Sequence, residues 1–450
     1  MSDSSTTLFN RARALVKMDE HGLDALVGAT FANSYYMSGL RTLATEWCMA
    51  EPFSAAIFPR DPGKTPTLVT MTAFLPTLLQ DHPTWFPQVR LYDWYSIDTT
   101  PAPQDEASRL YRDVSDFVRK RVAGNVENDL VTQTIAALND LGLADKRVGF
   151  DDLRLASHVK AVLDGIEVVD AHDILMDIRK VRTPAELDLL KEAARINQEA
   201  LERVIAEMRP GVRWSHLAYV YKDTFVRRGG RYYTDKGLLW GGVYKGEYVP
   251  DAFYLVNNDF ALEEGNLYLI EGEGHFRGYG CDCNRTVFLG EPSKTYLKAV
   301  DGVMTAYQEI ESCLRPGKPS SEVYKTVIRV MEEMGVPSPR KTLVATHGVG
   351  LEFVEWYTRF PTQKGVPDSY LIEENVTLGM DVLYYGHEIG TFHFENGLLI
   401  AKDGPRSFYA PPTTPRILPK GLIIKTGETV TTYCPNIRLA QEKGISPHPS

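Results

Sequence analysis

Three carboxylates and one histidine stand in sequence contexts that favour metal or acid–base chemistry. Glu271 ends the apolar run LYLIE, and Asp282 follows eleven residues later in YGCD. His347 stands in THGVGLE, and Glu395 interrupts the apolar segment FHFENGLLI. A carboxylate inside an apolar strand needs a proton, a cation or a cationic substrate, because an unpaired buried charge is costly. One imidazole with three carboxylates suits a divalent ion such as Mn, Fe, Co or Zn.

The segment 267–286 is predicted to form a β-hairpin that carries two of these acids. Residues 267–271 are predicted as a buried strand and residues 279–282 as a second strand, with the Gly-rich HFRGYG between them. Glu271 and Asp282 would then lie near the facing ends of the strands. A surface hairpin with solvated acids is an equally consistent interpretation. Cys281 and Cys283 alternate with Asp282, which predicts that they pack on the opposite face.

The N-terminal part of the chain alternates helix-like and strand-like segments. Residues 8–21 have helical periodicity, Gly22 ends them, and the strand-like LDALVGA follows. This alternation predicts a mixed α/β domain whose sheet is covered by helices. The remaining predicted strands are 55–58, 67–70, 147–151 and 167–171, and the remaining predicted helices are 106–122 and 131–141.

A helix start at residues 183–186 marks the predicted domain boundary. Thr183 is a good N-cap, Pro184 suits the first helical turn, and Glu186 completes a capping box. A long helix through LDLLKEAARINQEALERVIAEM is therefore predicted to open a second domain. Within that domain, helices are predicted at 214–228, 294–313 and 321–334, and strand-like segments at 341–353 and 375–404.

Size and composition narrow the class of protein. A chain of 450 residues exceeds what one hydrophobic core usually spans, so two domains are expected. A hydrophobic content of 43% and a charged content of 24% are typical of globular proteins. A net charge of -10 without a basic stretch argues against nucleic-acid and membrane-surface binding. The N-terminus has no apolar signal-like region, and five cysteines suit reduced thiols, so a cytoplasmic location is expected.

The sequence resembles the creatinase/aminopeptidase P family, which has a pita-bread catalytic domain, over both predicted domains. The matching phrases are FANSYYMSGL, IRKVRTPAELDLLKEAARI, LEEGNLYLIEGEGHFRGYGCDCNRT, HGVGLE, and LGM followed by FENGLLIAKDG. The resemblance implies an α/β fold with a creatinase-like N-terminal domain over 1–183 and an α+β pita-bread catalytic domain over 184–405. The irregular, Pro-rich residues 406–450 would form a tail. Relatives of this kind pair into dimers or tetramers, so a homodimer is expected.

The resemblance also implies a ligand set for a pair of divalent metals. The positions of the first Asp, the second Asp, the His and the last Glu fall on Glu271, Asp282, His347 and Glu395, respectively. The remaining Glu position falls on Tyr385, which is a poor ligand for most divalent ions. Two of the five positions are therefore changed, and one ion or none is expected ahead of two.

Two histidines that the peptidases of the family use are also replaced. Their positions hold Tyr254 and Val354, which disfavours an ordinary Xaa-Pro peptidase. Acids and aromatic residues cluster in the same segments, a combination that holds cationic groups. The acids are Glu271, Glu273, Asp282, Glu352, Glu355 and Glu395, and the aromatics are Tyr232, Tyr233, Trp240, Tyr244, Tyr248, Tyr254, Trp356, Tyr357, Tyr384 and Tyr385. Core and interface packing is the more frequent role for any single one of these aromatics, whereas for the group as a whole the two explanations are equally consistent.

The expected function is hydrolysis of a C–N bond in a small, cationic, nitrogen-containing metabolite. Water would be activated by a metal or by a carboxylate, with Glu271 or Glu355 as the base. Tyr254 or Tyr385 would donate a hydrogen bond to the oxyanion. The alternatives are a metal-dependent lyase on a sulfonium or betaine such as dimethylsulfoniopropionate, an Xaa-Pro peptidase, and a non-catalytic scaffold.

Overall fold

The chain divides into two compact units, and each unit has its own hydrophobic core. In a computed structural model, the described residues are 7–41, 51–80, 84–93, 113, 116–232, 259–310, 312–352, 355, 369–386, 390–409 and 416–418. The first unit groups residues 1–191 with 347–358 and 373–377, and the second groups 192–346 with 359–372 and 378–450. The predicted tail lies almost entirely outside the described residues.

The first unit contains a mixed six-stranded sheet in the order β4-β3-β2-β1-β5-β6. The β3-β2 and β2-β1 pairs are antiparallel, and the β4-β3, β1-β5 and β5-β6 pairs are parallel. Valines, isoleucines and phenylalanines of these strands form the core together with the packed helices. This arrangement confirms the predicted mixed α/β class. The strands are β1 (Ala25–Gly28), β2 (Ser54–Pro59), β3 (Thr67–Met71), β4 (Gln88–Tyr92), β5 (Arg147–Phe150) and β6 (Glu167–Asp170).

Six helices and the helical residues 116–121 accompany this sheet in the described part of the first unit. The first of them begins at an Asn10 N-cap and ends at Gly22, whose φ of 64° suits glycine. Of the predicted helix 106–122, residues 116–121 are helical, and most of the rest lies outside the described residues. The helices are α1 (Arg11–His21), α2 (Phe31–Ser38), α3 (Leu75–Gln80), α4 (Leu130–Asp140), α5 (Leu153–Val162) and α6 (His172–Lys180).

The predicted capping box starts the longest helix, α7 (Pro184–Glu207). The backbone N–H of Thr183 donates to Glu186 Oε2 at 2.8 Å, and the backbone N–H of Glu186 donates to Thr183 Oγ1 at 3.3 Å. These reciprocal contacts satisfy two donors that the first helical turn leaves without intrahelical partners. In the rest of the described chain, three more helices follow, namely α8 (Trp214–Arg227), α9 (Lys294–Ile310) and α10 (Ser321–Glu333).

The described residues of the second unit form three small sheets with the strand orders β10-β9-β7, β16-β11-β8 and β12-β13-β14-β15. The predicted hairpin supplies β8, β9, β10 and the start of β11, which belong to the first two of these sheets. The strands are β7 (Arg231–Tyr232), β8 (Leu267–Glu271), β9 (Gly274–Phe276), β10 (Tyr279–Cys281), β11 (Asn284–Leu289), β12 (Thr342–Gly348), β13 (Thr377–Gly386), β14 (Gly390–Ala401), β15 (Gly404–Ser407) and β16 (Arg416–Leu418).

The hairpin has a shorter turn and a different pairing from those predicted. Arg277 and Gly278 have φ angles of 48° and 88°, as in a two-residue turn with both central residues left-handed. Glu271 therefore pairs with Asn284 of β11, not with residues 279–282. The same register continues across residues 272–273 and 282–283, which places Asp282 opposite Glu273.

One face of the hairpin is apolar and the other is acidic. Cys281 and Cys283 are buried in the apolar core with Tyr268 and Ile270, together with aromatic residues of α8. The alternation of side chains then directs Asp282 and Glu271 to the other face. This confirms the predicted packing role of the two cysteines. The core anchors one face of the hairpin, so the acidic face is held in place.

Candidate active site

Glu271 occupies the last position of β8 and is held by the strand that faces it. The side chain of Asn284 lies directly opposite in the ladder, and its Nδ2 donates to Glu271 Oε2 at 3.3 Å. Both residues are buried. An acid at a strand end, with an amide as its cross-strand neighbour, is fixed by the backbone register.

Asp282 lies in the short interruption between β10 and β11 and is 1% exposed. Burial, followed by the neighbouring carboxylates of Glu395 and Glu271, raises the pKa of Asp282 well above its usual range. Burial makes the largest contribution to this shift, and the two neighbouring carboxylates add to it because each ionised acid disfavours ionisation of the next. Such a cluster favours a bound proton or cation.

Glu395 is placed in the same unit by contacts between β11 and β14. Thr286 Oγ1 donates to the backbone carbonyl of His393 at 2.9 Å. Arg285 Nη1 donates to the Glu395 carbonyl at 3.2 Å and to Asn396 Oδ1 at 3.2 Å. These bonds fix β14 beside the hairpin, so the buried Glu395 side chain reaches Glu271 of β8.

His393 and Asp381 join the acids, although neither was singled out from the sequence. His393 Nε2 lies 2.9 Å from Asp381 Oδ1, and His393 Nδ1 lies 3.6 Å from Glu271 Oε2. His393 precedes Glu395 by two residues on β14, so both side chains share one face of the strand. This alternation was the signal in the sequence that could have identified His393.

The donor set of the second unit fits a divalent cation. One ligand atom each from Glu271, His393 and Glu395 lie within 4.8 Å of one another, and all three residues are buried. Oxygen and imidazole donors around excess negative charge are what hard and borderline divalent ions bind. The residues that would hold the ion in this unit are Glu271, His393 and Glu395, with Asp282 beside them.

The other predicted site residues have different outcomes. His347 is buried near the end of β12, with Nδ1 3.3 Å from the Gly348 carbonyl, and belongs to the first unit. Its role as a metal ligand stays a prediction. Tyr385 is half-buried on β13. Tyr254 lies outside the described residues. The roles of both tyrosines as hydrogen-bond donors also stay predictions.

Glu355 is held in a network of ion pairs inside the first unit. Its carboxylate contacts Arg179 and Arg182, and the backbone N–H of Leu351 donates to it at 2.8 Å. Burial alone would raise the pKa of Glu355, but the two guanidinium groups lower it to about 2. A carboxylate held so acidic is a weak proton acceptor near neutral pH, so these contacts favour a structural role over that of general base.

Most of the aromatic residues expected around the site lie outside the described residues. Those are Tyr233, Trp240, Tyr244, Tyr248, Tyr254, Trp356 and Tyr357, together with the side chain of Tyr232. Tyr384 is buried, and its hydroxyl donates to the Pro337 carbonyl at 2.6 Å. This contact assigns Tyr384 to core packing.

The helices that the structure describes are all too short or too polar to cross a bilayer.

The acidic hairpin lies within the part of the chain that is similar to a known protein family. Residues 188–402 match the family described as Metallopeptidase family M24. The sequence is 22% identical over 234 residues to an Xaa-Pro dipeptidase of Pyrococcus furiosus, a match that covers 52% of this chain and 64% of that protein. It is also 22% identical over 283 residues to an uncharacterized peptidase of Bacillus subtilis, covering 62% of this chain and 76% of that protein.

The fold has a close counterpart among solved structures. An X-Pro aminopeptidase of Thermotoga maritima superposes with a TM-score of 0.67 at 16% identity, covering 90% of this chain and 100% of that one. At this identity the likeness shows the fold alone. The family match, the acidic hairpin and the shared architecture agree with the resemblance found in the sequence. The chain is similar to metallopeptidase family M24 over residues 188–402, and its fold is the pita-bread fold that the sequence resemblance implies.

Proposed function

We propose that the protein is a hydrolase that cleaves a C–N bond in a small, cationic, nitrogen-containing metabolite. The observation that carries the proposal is the buried group formed by Glu271, Asp282 and Glu395, whose carboxylates lie close together in the second unit. Excess negative charge in a buried site attracts a divalent ion and a cationic substrate alike. A guanidinium, an amidinium or a quaternary ammonium group has the matching charge.

A divalent ion held at these carboxylates would act as a Lewis acid. Glu271 is then also the candidate base, through the carboxylate oxygen that does not bind the ion, because it is buried at a strand end and its position is fixed by Asn284. Its carboxylate would accept the proton of the attacking water and return it to the leaving nitrogen. The hydroxyl group of Tyr385 would donate a hydrogen bond to the oxygen that becomes negatively charged on the substrate carbon during the attack. At most one ion per chain is expected, because Tyr385 replaces a carboxylate of the family's ligand set.

Hydrolysis of Xaa-Pro peptides is the second candidate function. The relatives in Pyrococcus furiosus and Thermotoga maritima are named as an Xaa-Pro dipeptidase and an X-Pro aminopeptidase. Tyr254 and Val354 stand against this candidate, since they replace two histidines that the resemblance assigns to peptide chemistry.

The expected cytoplasmic location and homodimer stay predictions. The dimer is tested by light scattering coupled to size-exclusion chromatography.

A substrate panel separates these functions. Purified protein supplied with Mn, Co or Zn is incubated with a guanidino compound, a cyclic amidine, dimethylsulfoniopropionate and an Xaa-Pro dipeptide. Release of an amine or ammonia from the first two is the expected result, and Asp282→Asn is expected to abolish it. Asp145→Asn, which changes an exposed acid of the first unit, is the matched control and keeps full activity. Turnover of the dipeptide alone, release of dimethyl sulfide, or no turnover of any compound would overturn the proposal.

A further inference from the structure

We propose that His393 is a nitrogen ligand of the divalent ion, bound through Nδ1 and oriented by Asp381. This inference rests on the proposed metal site but not on the identity of the substrate. His393 is 3% exposed and lies on β14. The ligand set implied by the sequence resemblance contains no residue at this position.

Asp381 determines which nitrogen of His393 carries the lone pair that a metal would bind. The Nε2 atom lies 2.9 Å from Asp381 Oδ1, which is a hydrogen-bond distance. A carboxylate accepts this bond, so Nε2 carries the hydrogen and Nδ1 carries the lone pair in the neutral ring. A metal-binding histidine commonly donates its second nitrogen to a carboxylate in this way.

The distance between His393 Nδ1 and Glu271 Oε2 matches that of two atoms that bind the same divalent ion. His393 Nδ1 is 3.6 Å from Glu271 Oε2, which is longer than a hydrogen bond. A lone pair facing a carboxylate oxygen is repulsive unless a cation shares both. Two ligand atoms that each lie about 2.1 Å from a tetrahedral ion are roughly 3.4 Å apart. The observed separation is close to this value.

Two more side chains offer oxygen donors near this position. Glu395 lies on the same strand face as His393, and the ligand atoms of Glu271, His393 and Glu395 lie within 4.8 Å of one another. Asn284 is fully buried and contacts Glu271, while its Oδ1 has no hydrogen-bond partner among the residues that the structure describes. An amide oxygen is a hard donor, and here it is available beside the acids.

Metal titration of the full-length protein tests the role of His393. Metal-free wild type, His393→Gln and Asp381→Asn are titrated with Co²⁺ by calorimetry. Affinity is expected to fall about 100-fold in His393→Gln and about 10-fold in Asp381→Asn. His216→Gln is the matched control, because His216 also contacts a carboxylate, that of Glu207 at 2.8 Å, but is exposed. Its affinity should equal that of wild type.

Proton NMR of the Co²⁺-loaded proteins gives a readout that a merely structural role would not change. A histidine bound through Nδ1 shows its Nε2–H as an exchangeable signal shifted by the paramagnetic ion. This signal is expected in wild type and His216→Gln, to exchange faster in Asp381→Asn, and to be absent from His393→Gln. The inference is overturned if His393→Gln keeps both the affinity and the signal. Absence of Co²⁺ binding by wild type would also overturn it.

Two further outcomes keep this inference separate from the proposed function. Wild type that binds Co²⁺ but hydrolyses no member of the substrate panel refutes the proposed activity and leaves the role of His393 supported. If His393→Gln does not fold by circular dichroism, the decision passes to Asp381→Asn, which preserves the imidazole. Unchanged Co²⁺ affinity and unchanged exchange in Asp381→Asn would then overturn the inference.

Discussion

Asn284 lies directly opposite Glu271 across the β8–β11 pair, with its Nδ2 3.3 Å from Glu271 Oε2. Asn284→Asp replaces this amide with another acid in a buried cluster. We expect a lower melting temperature without metal, because like charges repel strongly when buried. Saturating Mn²⁺ should raise the melting temperature by more in this variant than in wild type, because a carboxylate strengthens cation binding. Differential scanning calorimetry with and without Mn²⁺ measures both effects, and an equal metal-induced increase in the two proteins would count against the cation site.

Glu355 is predicted to stabilise the first unit without taking part in chemistry. Glu355→Gln removes the buried charge that faces Arg179 and Arg182, and should lower the free energy of unfolding by about 3–5 kcal/mol. Glu352→Gln is the matched control, since Glu352 also contacts Arg179, at 3.0 Å, but its side chain is 40% exposed. Glu352→Gln should lower the free energy of unfolding by less than about 1 kcal/mol. Urea denaturation measures both, and equal losses in the two variants would contradict the assignment.

The same carboxylate predicts an acid-dependent loss of stability. The neighbouring guanidinium groups lower the pKa of Glu355 from an ordinary 4.5 to about 2, despite the opposing effect of burial. Because the folded-state pKa is the lower one, this stabilisation is complete above about pH 4.5 and is lost as the pH falls toward 2. Wild type should therefore lose more unfolding free energy between pH 5 and pH 3 than Glu355→Gln does. Parallel profiles for the two proteins over this interval would show that Glu355 does not contribute.

Cys281 and Cys283 should be protected from alkylation in the native protein. Both are buried in the core beneath the hairpin, at 2% and 0% exposure, so a reagent cannot reach their sulfur atoms. Treatment with iodoacetamide at pH 8, followed by peptide mass spectrometry, should find both unmodified in buffer and both modified in urea. Rapid labelling in buffer would show that the hairpin does not pack as described.

The capping box at Thr183 should contribute measurably to stability. Thr183→Ala removes the Oγ1 acceptor of the Glu186 N–H, and a loss of about 1 kcal/mol is expected. Thr183→Ser keeps the hydroxyl and should stay within a few tenths of a kcal/mol of wild type. Thermal unfolding of the two variants measures the difference, and a neutral Thr183→Ala would show that the cap is dispensable.

Local patterns predicted much of the fold. The alternation of strands and helices, the capping box and the cysteine-bearing face of the hairpin all depend on neighbouring residues, so periodicity and turn chemistry indicated them. The predicted hairpin register is wrong because HFRGYG does not form one long turn. The left-handed Arg277 and Gly278 form a two-residue turn, and turn length sets the pairing of every later residue.

Contacts between distant segments could not be predicted from local patterns. Glu355 meets Arg179 across 176 residues of sequence, so its ion pairs appear only in the folded chain. Asp381 and His393 lie on different strands, and their contact depends on strand pairing. Of these relationships, the sequence itself shows only the two-residue spacing of His393 and Glu395, which places both side chains on one face of a strand.

The metal content of the purified protein tests the central claim most directly. Wild type and Asp282→Ala are dialysed against Mn, Co or Zn, freed of loose ions by gel filtration, and analysed by inductively coupled plasma mass spectrometry. A buried cluster of carboxylates that binds a cation predicts close to one ion per chain in wild type and almost none in Asp282→Ala. Wild type without bound metal after each dialysis, or equal metal in both proteins, would contradict the account.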